Sequence, residues 1–168
     1  MYSTRQYKLF ISHAWDYGED YDKLVGLLNS APFFRWTNLS VPEDERLPNH
    51  PTLPKSYRFL VRQLDDRIRQ ADCLVLIAAM YFHHRAWIQS EIEAALEYNK
   101  PIVAVKPYGS ERVPSLDHVG ITELVGWNSV SVVSAIKRHS VPKFAGADMY
   151  SGTELQTFYI ENVKLPRK

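Results

Sequence analysis

Two uninterrupted apolar runs, Cys73 to Ala79 (CLVLIAA) and Pro101 to Val105 (PIVAV), constrain this chain more than any other feature. A strand with one face in water alternates apolar and polar residues. A run that is apolar at every position needs cover on both faces, which is the situation of a strand inside a parallel sheet flanked by helices. Between the runs, Trp87 to Asn99 carries apolar residues at helical spacing, so the segment predicts a right-handed strand, helix, strand unit. The same signals recur along the chain. Tyr7 to Ser12 (YKLFIS) reads as a first strand, and Tyr21, Leu24, Val25 and Leu28 line one face of a helix. Phe33 to Leu39 reads as a second strand. Tyr57, Leu60, Val61, Leu64, Ile68 and Ala71 mark a helix of about four turns. A weaker strand spans Glu123 to Val125, and Asn128 caps a helix through about Arg138. Strands alternating with helices predict an α/β fold: a flavodoxin-like three-layer sandwich with a five-stranded parallel sheet in the order 2-1-3-4-5.

The 168 residues suit one domain, here expected over residues 1–140, with 141–168 as a C-terminal appendage or tail that lacks a clear period. Ser40 to Ser56 holds Pro42, Pro48, Pro51 and Pro54 and predicts a long surface loop, mobile or ordered by a partner, near the mouth of any site at the carboxyl edge. Lys and Arg number 20 against 19 Asp and Glu, a net charge of +1 that gives no electrostatic footprint for nucleic acid or an anionic membrane. The single cysteine, Cys73, makes no intramolecular disulfide and reads as an inert core residue; no metal site is expected. No run approaches 18 apolar residues and the first ten residues lack a signal-peptide core, so a cytoplasmic protein is expected.

Ligands of open parallel sheets bind beyond the carboxyl ends of the strands, at the point where strand order reverses. That directs attention to His13 to Asp20 and Met80 to Trp87. Neither holds a Gly-x-Gly-x-x-Gly or Walker sequence, which disfavours a Rossmann redox enzyme and a P-loop nucleotidase. The anomaly lies in the helix after the third strand. Trp87, Ile88, Ile92, Ala94, Ala95 and Tyr98 share one arc, and Glu91 falls inside it, whereas Glu93 and Glu97 point outward. A buried carboxylate is costly unless paired or functional. Two readings stand: Glu91 is a functional group, or it pairs with an arginine such as Arg85 or caps nearby backbone. Ser12 and His13 end the first strand where a phosphate or ribose can lie, or are a turn cap and an exposed histidine. Trp15 is either a stacking surface or an aromatic lid over the sheet edge. Trp87 packs first and walls a ligand second. Adjacent His83 and His84 lack metal-ligand spacing, and Arg46 is either a phosphate contact or a solvated loop residue.

FISHAW at residues 10–15, the apolar third strand, and WIQSEIEAAL at residues 87–96 followed by NKPIVAVKPYG resemble TIR domains, most of all the bacterial TIR-like branch that includes the sensor protein of Thoeris antiphage systems. The resemblance covers about residues 5–140. It implies that Trp87 and Glu91 match a Trp-x-x-x-Glu motif in which the glutamate is catalytic. Ser12, His13, Trp15, Phe82 and Trp87 then fall around the substrate. The positions that carry Ser and Tyr in animal TIR domains are Ala79, Phe82 and Arg85 here, and Ile88 replaces a cysteine. The implied activity is cleavage of the nicotinamide glycosidic bond of NAD⁺, a substrate rather than a cofactor. The implied product is an ADP-ribose-derived signal, linear or cyclic, read by a separate downstream effector in phage defence. Self-association or a partner is the implied trigger. The alternative is a catalytically silent TIR-fold interaction module.

Overall fold

A computed structural model describes the backbone of residues 5–12, 19–40, 54–83, 85–106, 109, 116 and 119–141, and the side chains of these except 54–61 and 82–87. Five strands, β1 (Gln6–Ser12), β2 (Arg35–Asn38), β3 (Cys73–Ile77), β4 (Ile102–Val105) and β5 (Glu123–Val125), form one sheet in the order β2-β1-β3-β4-β5. Every pairing is parallel, and the register sets Ser12 of β1 beside Leu76 of β3. The helices are α1 (Glu19–Asn29), α2 (Pro54–Gln70), α3 (Ala78–His83), α4 (Arg85–Glu97) and α5 (Ser129–His139).

The apolar runs are apolar throughout because both faces of the sheet are covered. Tyr7, Leu9 and Ile11 of β1, Cys73, Val75 and Ile77 of β3, and Val103 and Val105 of β4 pack with α1 and α5. The intervening residues, Phe10, Leu74, Leu76, Ile102 and Ala104, pack with α2 and α4 on the other face. Strand side chains alternate faces, so Ser12 shares the α2 and α4 side with Phe10. Asn128 caps α5 by accepting a hydrogen bond from the Ser131 amide at 2.8 Å. No helix among the described residues is long and apolar enough to cross a membrane.

Cys73 is fully buried in β3, and burial pushes its thiol up from an ordinary 9.0 to about 12. The thiol should therefore resist Ellman's reagent at pH 8 in the native protein and react once guanidinium unfolds it. The linkage has a definite sign. The unfolded thiol ionises near 9 while the folded one keeps its proton to about 12, so the stability it contributes is complete below pH 9 and is lost as pH rises from 9 toward 12. Denaturant titrations across that window should show a weaker alkaline loss in Cys73→Ala than in the parent; equal losses would contradict the assignment.

Element boundaries differ from the sequence expectation, and four of the differences have a plain physical reason. The third strand stops at Ile77, not Ala79, and Ala78–His83 is helix. An apolar run cannot distinguish strand from buried helix, and the alanines at 78 and 79 favour helix. α2 starts at Pro54, not Tyr57, because a proline is tolerated in the first helical turn, where its missing N–H has no partner to lose. β2 starts at Arg35, since Phe33 has φ 58°, a left-handed turn conformation incompatible with a strand. α4 spans Arg85–Glu97 and not 87–99, with Asn99 at φ 52° closing the turn. The expected loop thus loses its ends to structure. Ser40 is buried and residues 54–56 are helical; the rest of it, 41–53, and the proposed appendage from 142 onward lie outside the described residues.

Candidate active site at the carboxyl edge of the sheet

Ile88, Glu91, Ile92 and Ala95 are the buried stripe of α4, at i, i+3, i+4 and i+7, with exposures of 0, 3, 0 and 0%. The glutamate therefore occupies a core position of its helix. Glu93, two residues on, is exposed and accepts from the Gln89 amide at 3.2 Å. Gln89 in turn accepts from the buried Tyr81 hydroxyl at 3.1 Å, which fastens α3 to the first turns of α4.

The side chain facing Glu91 comes from β1. Ser12 is the last residue of that strand and is fully buried, and its hydroxyl donates a hydrogen bond to Glu91 Oε2. Residues 79 positions apart in the chain meet here because α4 packs over the carboxyl end of β1, on the face to which the strand's alternation turns Ser12. The pair sits where strand order reverses, β1 running to β2 on one side and to β3 on the other.

One functional group was not singled out by the sequence. Ser40, just beyond β2, is 5% exposed. Its hydroxyl accepts from the Ile11 amide at 2.9 Å and donates to the Ile11 carbonyl at 3.1 Å, continuing the β1–β2 ladder with a side chain. Arg67 Nη1 of α2 donates to the Ser40 carbonyl at 3.2 Å. The residue immediately before Ser12 is thus held by groups from two neighbouring elements. A serine at a strand end carries no mark of this in sequence, because serine is common in turns and loops.

Of the residues expected around a substrate, Ser12 and Glu91 are in contact. His13, Trp15 and Arg46 lie outside the described residues, and for Phe82 and Trp87 only the backbone is described, in α3 and at the start of α4. The opposite, amino edge of the sheet holds a cavity of about 650 Å³ lined by Arg5, Asp72, Lys100, Thr122, His139 and Ser140 among others. There Arg5 donates to the Ser140 carbonyl at 2.6 Å and meets Asp72 at 3.4 Å, while Asp72 accepts from the Lys8 amide at 2.8 Å. These contacts tie β1, β3 and the end of α5 together, one sheet length away from Glu91.

The family model for the Thoeris protein ThsB, TIR-like domain, matches residues 10–112, more than half of the chain and the whole stretch from Ser12 to Glu91. No curated protein matches the sequence. Among solved structures, a CMP N-glycosidase of Clostridium botulinum, BcmB, aligns with a TM-score of 0.46 at 12% identity, over 78% of this chain and 98% of that one. A 3-dehydroquinate dehydratase-like protein from Bifidobacterium longum aligns with a TM-score of 0.41 at 9% identity, over 80% of this chain and 94% of that one.

Proposed function

Because this chain belongs to the family of the Thoeris ThsB TIR-like domain, we propose that it cleaves the nicotinamide glycosidic bond of NAD⁺ and makes an ADP-ribose-derived signal for antiphage defence. The observation that carries the reading is a glutamate in the core stripe of α4, held by a serine at the strand-order reversal of a parallel sheet. A carboxylate placed for packing alone would be replaced by an apolar residue at lower cost.

The chemistry fits a single carboxylate. Nicotinamide is bonded to ribose through a cationic pyridinium nitrogen. When that carbon–nitrogen bond breaks, the electron pair returns to the ring and the leaving group departs neutral, with no general acid needed. Positive charge then builds on the ribose C1′ and ring oxygen, and the Glu91 carboxylate stabilises it. Ordinary glycosidases need a second carboxyl group to protonate their leaving oxygen. If water is the acceptor, its oxygen bonds to C1′, its proton is lost, and ADP-ribose forms; an internal nucleophile gives a cyclic product. His13 and Trp15 are assigned to the phosphate, ribose or base, and Phe82 and Trp87 to the walls of the site.

The near-complete burial of Glu91 supports activation by association. At 3% exposure the carboxylate reaches a substrate only when the segments around it rearrange. Self-assembly or a partner formed during infection is the proposed trigger, and a separate effector the reader. The test is incubation of the purified protein with NAD⁺, with and without lysate of phage-infected cells, followed by mass-resolved chromatography. Nicotinamide and an ADP-ribose-derived product should form in the presence of infected lysate. A protein that releases no nicotinamide in either case is instead an interaction module.

A further inference from the structure

We infer that Ser12 is a positioning residue for Glu91 rather than a contact for the substrate. The inference deepens the proposed NAD⁺ cleavage and rests on that reading for its kinetic consequences.

Three observations carry it. Ser12 has no exposed surface at all, so its hydroxyl offers a ligand no open face. A serine hydroxyl has one proton, and here that proton is donated to Glu91 Oε2, leaving none to offer a phosphate. The Ser12 backbone is also braced. Its neighbour Ile11 is clamped by the Ser40 hydroxyl through both amide and carbonyl, Arg67 holds the Ser40 carbonyl, and Ser12 itself is in register with Leu76 of the central strand. The donor is therefore fixed by the sheet before any ligand arrives, and it fixes one carboxylate oxygen in turn.

A glutamate side chain has three rotatable bonds. A charge-assisted hydrogen bond from a rigid donor selects one rotamer and compensates part of the desolvation of the ionised carboxylate. Pre-set geometry of this kind is what allows one carboxylate to meet charge developing at C1′ without reorganising first.

The experiment uses the full chain and three variants: Ser12→Ala, which removes the donor; Ser12→Thr, which keeps it; and Ser12→Cys, which keeps the volume with a weaker donor and serves if the alanine variant does not fold. In protein carrying ¹³C-labelled glutamate, the Glu91 carboxyl resonance is assigned by its loss in Glu91→Gln. That resonance should move in Ser12→Ala, move less in Ser12→Cys, and return toward the parent position in Ser12→Thr. Under the condition that gives nicotinamide release, kcat should fall about 10- to 100-fold in Ser12→Ala, with KM for NAD⁺ changed less than about threefold, and Ser12→Thr should restore most of the rate. A Glu91 resonance indifferent to all three substitutions overturns the inference, as does a rise in KM at unchanged kcat, which marks a substrate contact. If the parent chain releases no nicotinamide, the enzymatic reading fails by itself, and the resonance still decides whether Ser12 sets the state of Glu91.

Discussion

Glu91→Gln should leave a folded protein that releases nicotinamide from NAD⁺ at least about 100-fold more slowly than the parent, the usual scale for losing one electrostatic contact to a transition state. The substitution is nearly isosteric. The amide oxygen of glutamine can still accept from the Ser12 hydroxyl, so that contact between α4 and β1 is kept. What disappears is the negative charge. Glu93→Gln supplies the control, because that carboxylate lies on the same helix but in solvent, and its variant should cleave at the parent rate. Single-turnover measurements of nicotinamide release under the activating condition, with circular dichroism to verify the fold, separate the two. Parent-like cleavage by Glu91→Gln would remove the carboxylate from the chemistry.

The second large effect is on stability. Leu76→Ala should cost about 2–5 kcal/mol, the range for truncating a fully buried leucine, and lower the melting temperature by about 5–20 °C. Leu76 sits at 0% exposure in the central strand, among Phe10, Ile88 and Ile92 of the same core, where rigid neighbours on every side leave little scope for collapse into the void. Val130→Ala, in α5 and 74% exposed, should change stability by less than about 0.5 kcal/mol. Urea denaturation with equal slopes for parent and variants is the measurement. A loss below 1 kcal/mol at Leu76 would mean that β3 is not the sealed centre of the sheet.

Much of this was legible in the residues, and unevenly so. The two apolar runs announce strands covered on both sides, and the flavodoxin-like class they point to carries the observed order with it. The position of Glu91 inside an apolar arc is visible on a helical wheel, and its burial is a local property of α4. Its place in that arc, one turn from Trp87, also directs the carboxylate toward the end of the first strand near Ser12 and His13, and Ser12 is where it is met; the hydrogen bond itself was less accessible to sequence. The contact with Ser12 spans 79 residues, and it depends on which face of β1 Ser12 occupies and on where α4 crosses the strand. Neither quantity is written in local periodicity. The clamp by Ser40 was missed for the same reason, since a hydroxyl that substitutes for a strand neighbour looks like any loop serine. The β3–α3 boundary failed differently: in Ala78 to Phe82 every residue is apolar, so periodicity has nothing to measure.

The Arg5 guanidinium reaches the Ser140 carbonyl across 135 positions of chain, so β1 begins beside the place where α5 stops. For anyone labelling this protein, that adjacency decides where cargo can be hung. A fluorescent module or affinity handle inserted after Val141 departs from the amino edge, a full strand length from Ser12 and Glu91.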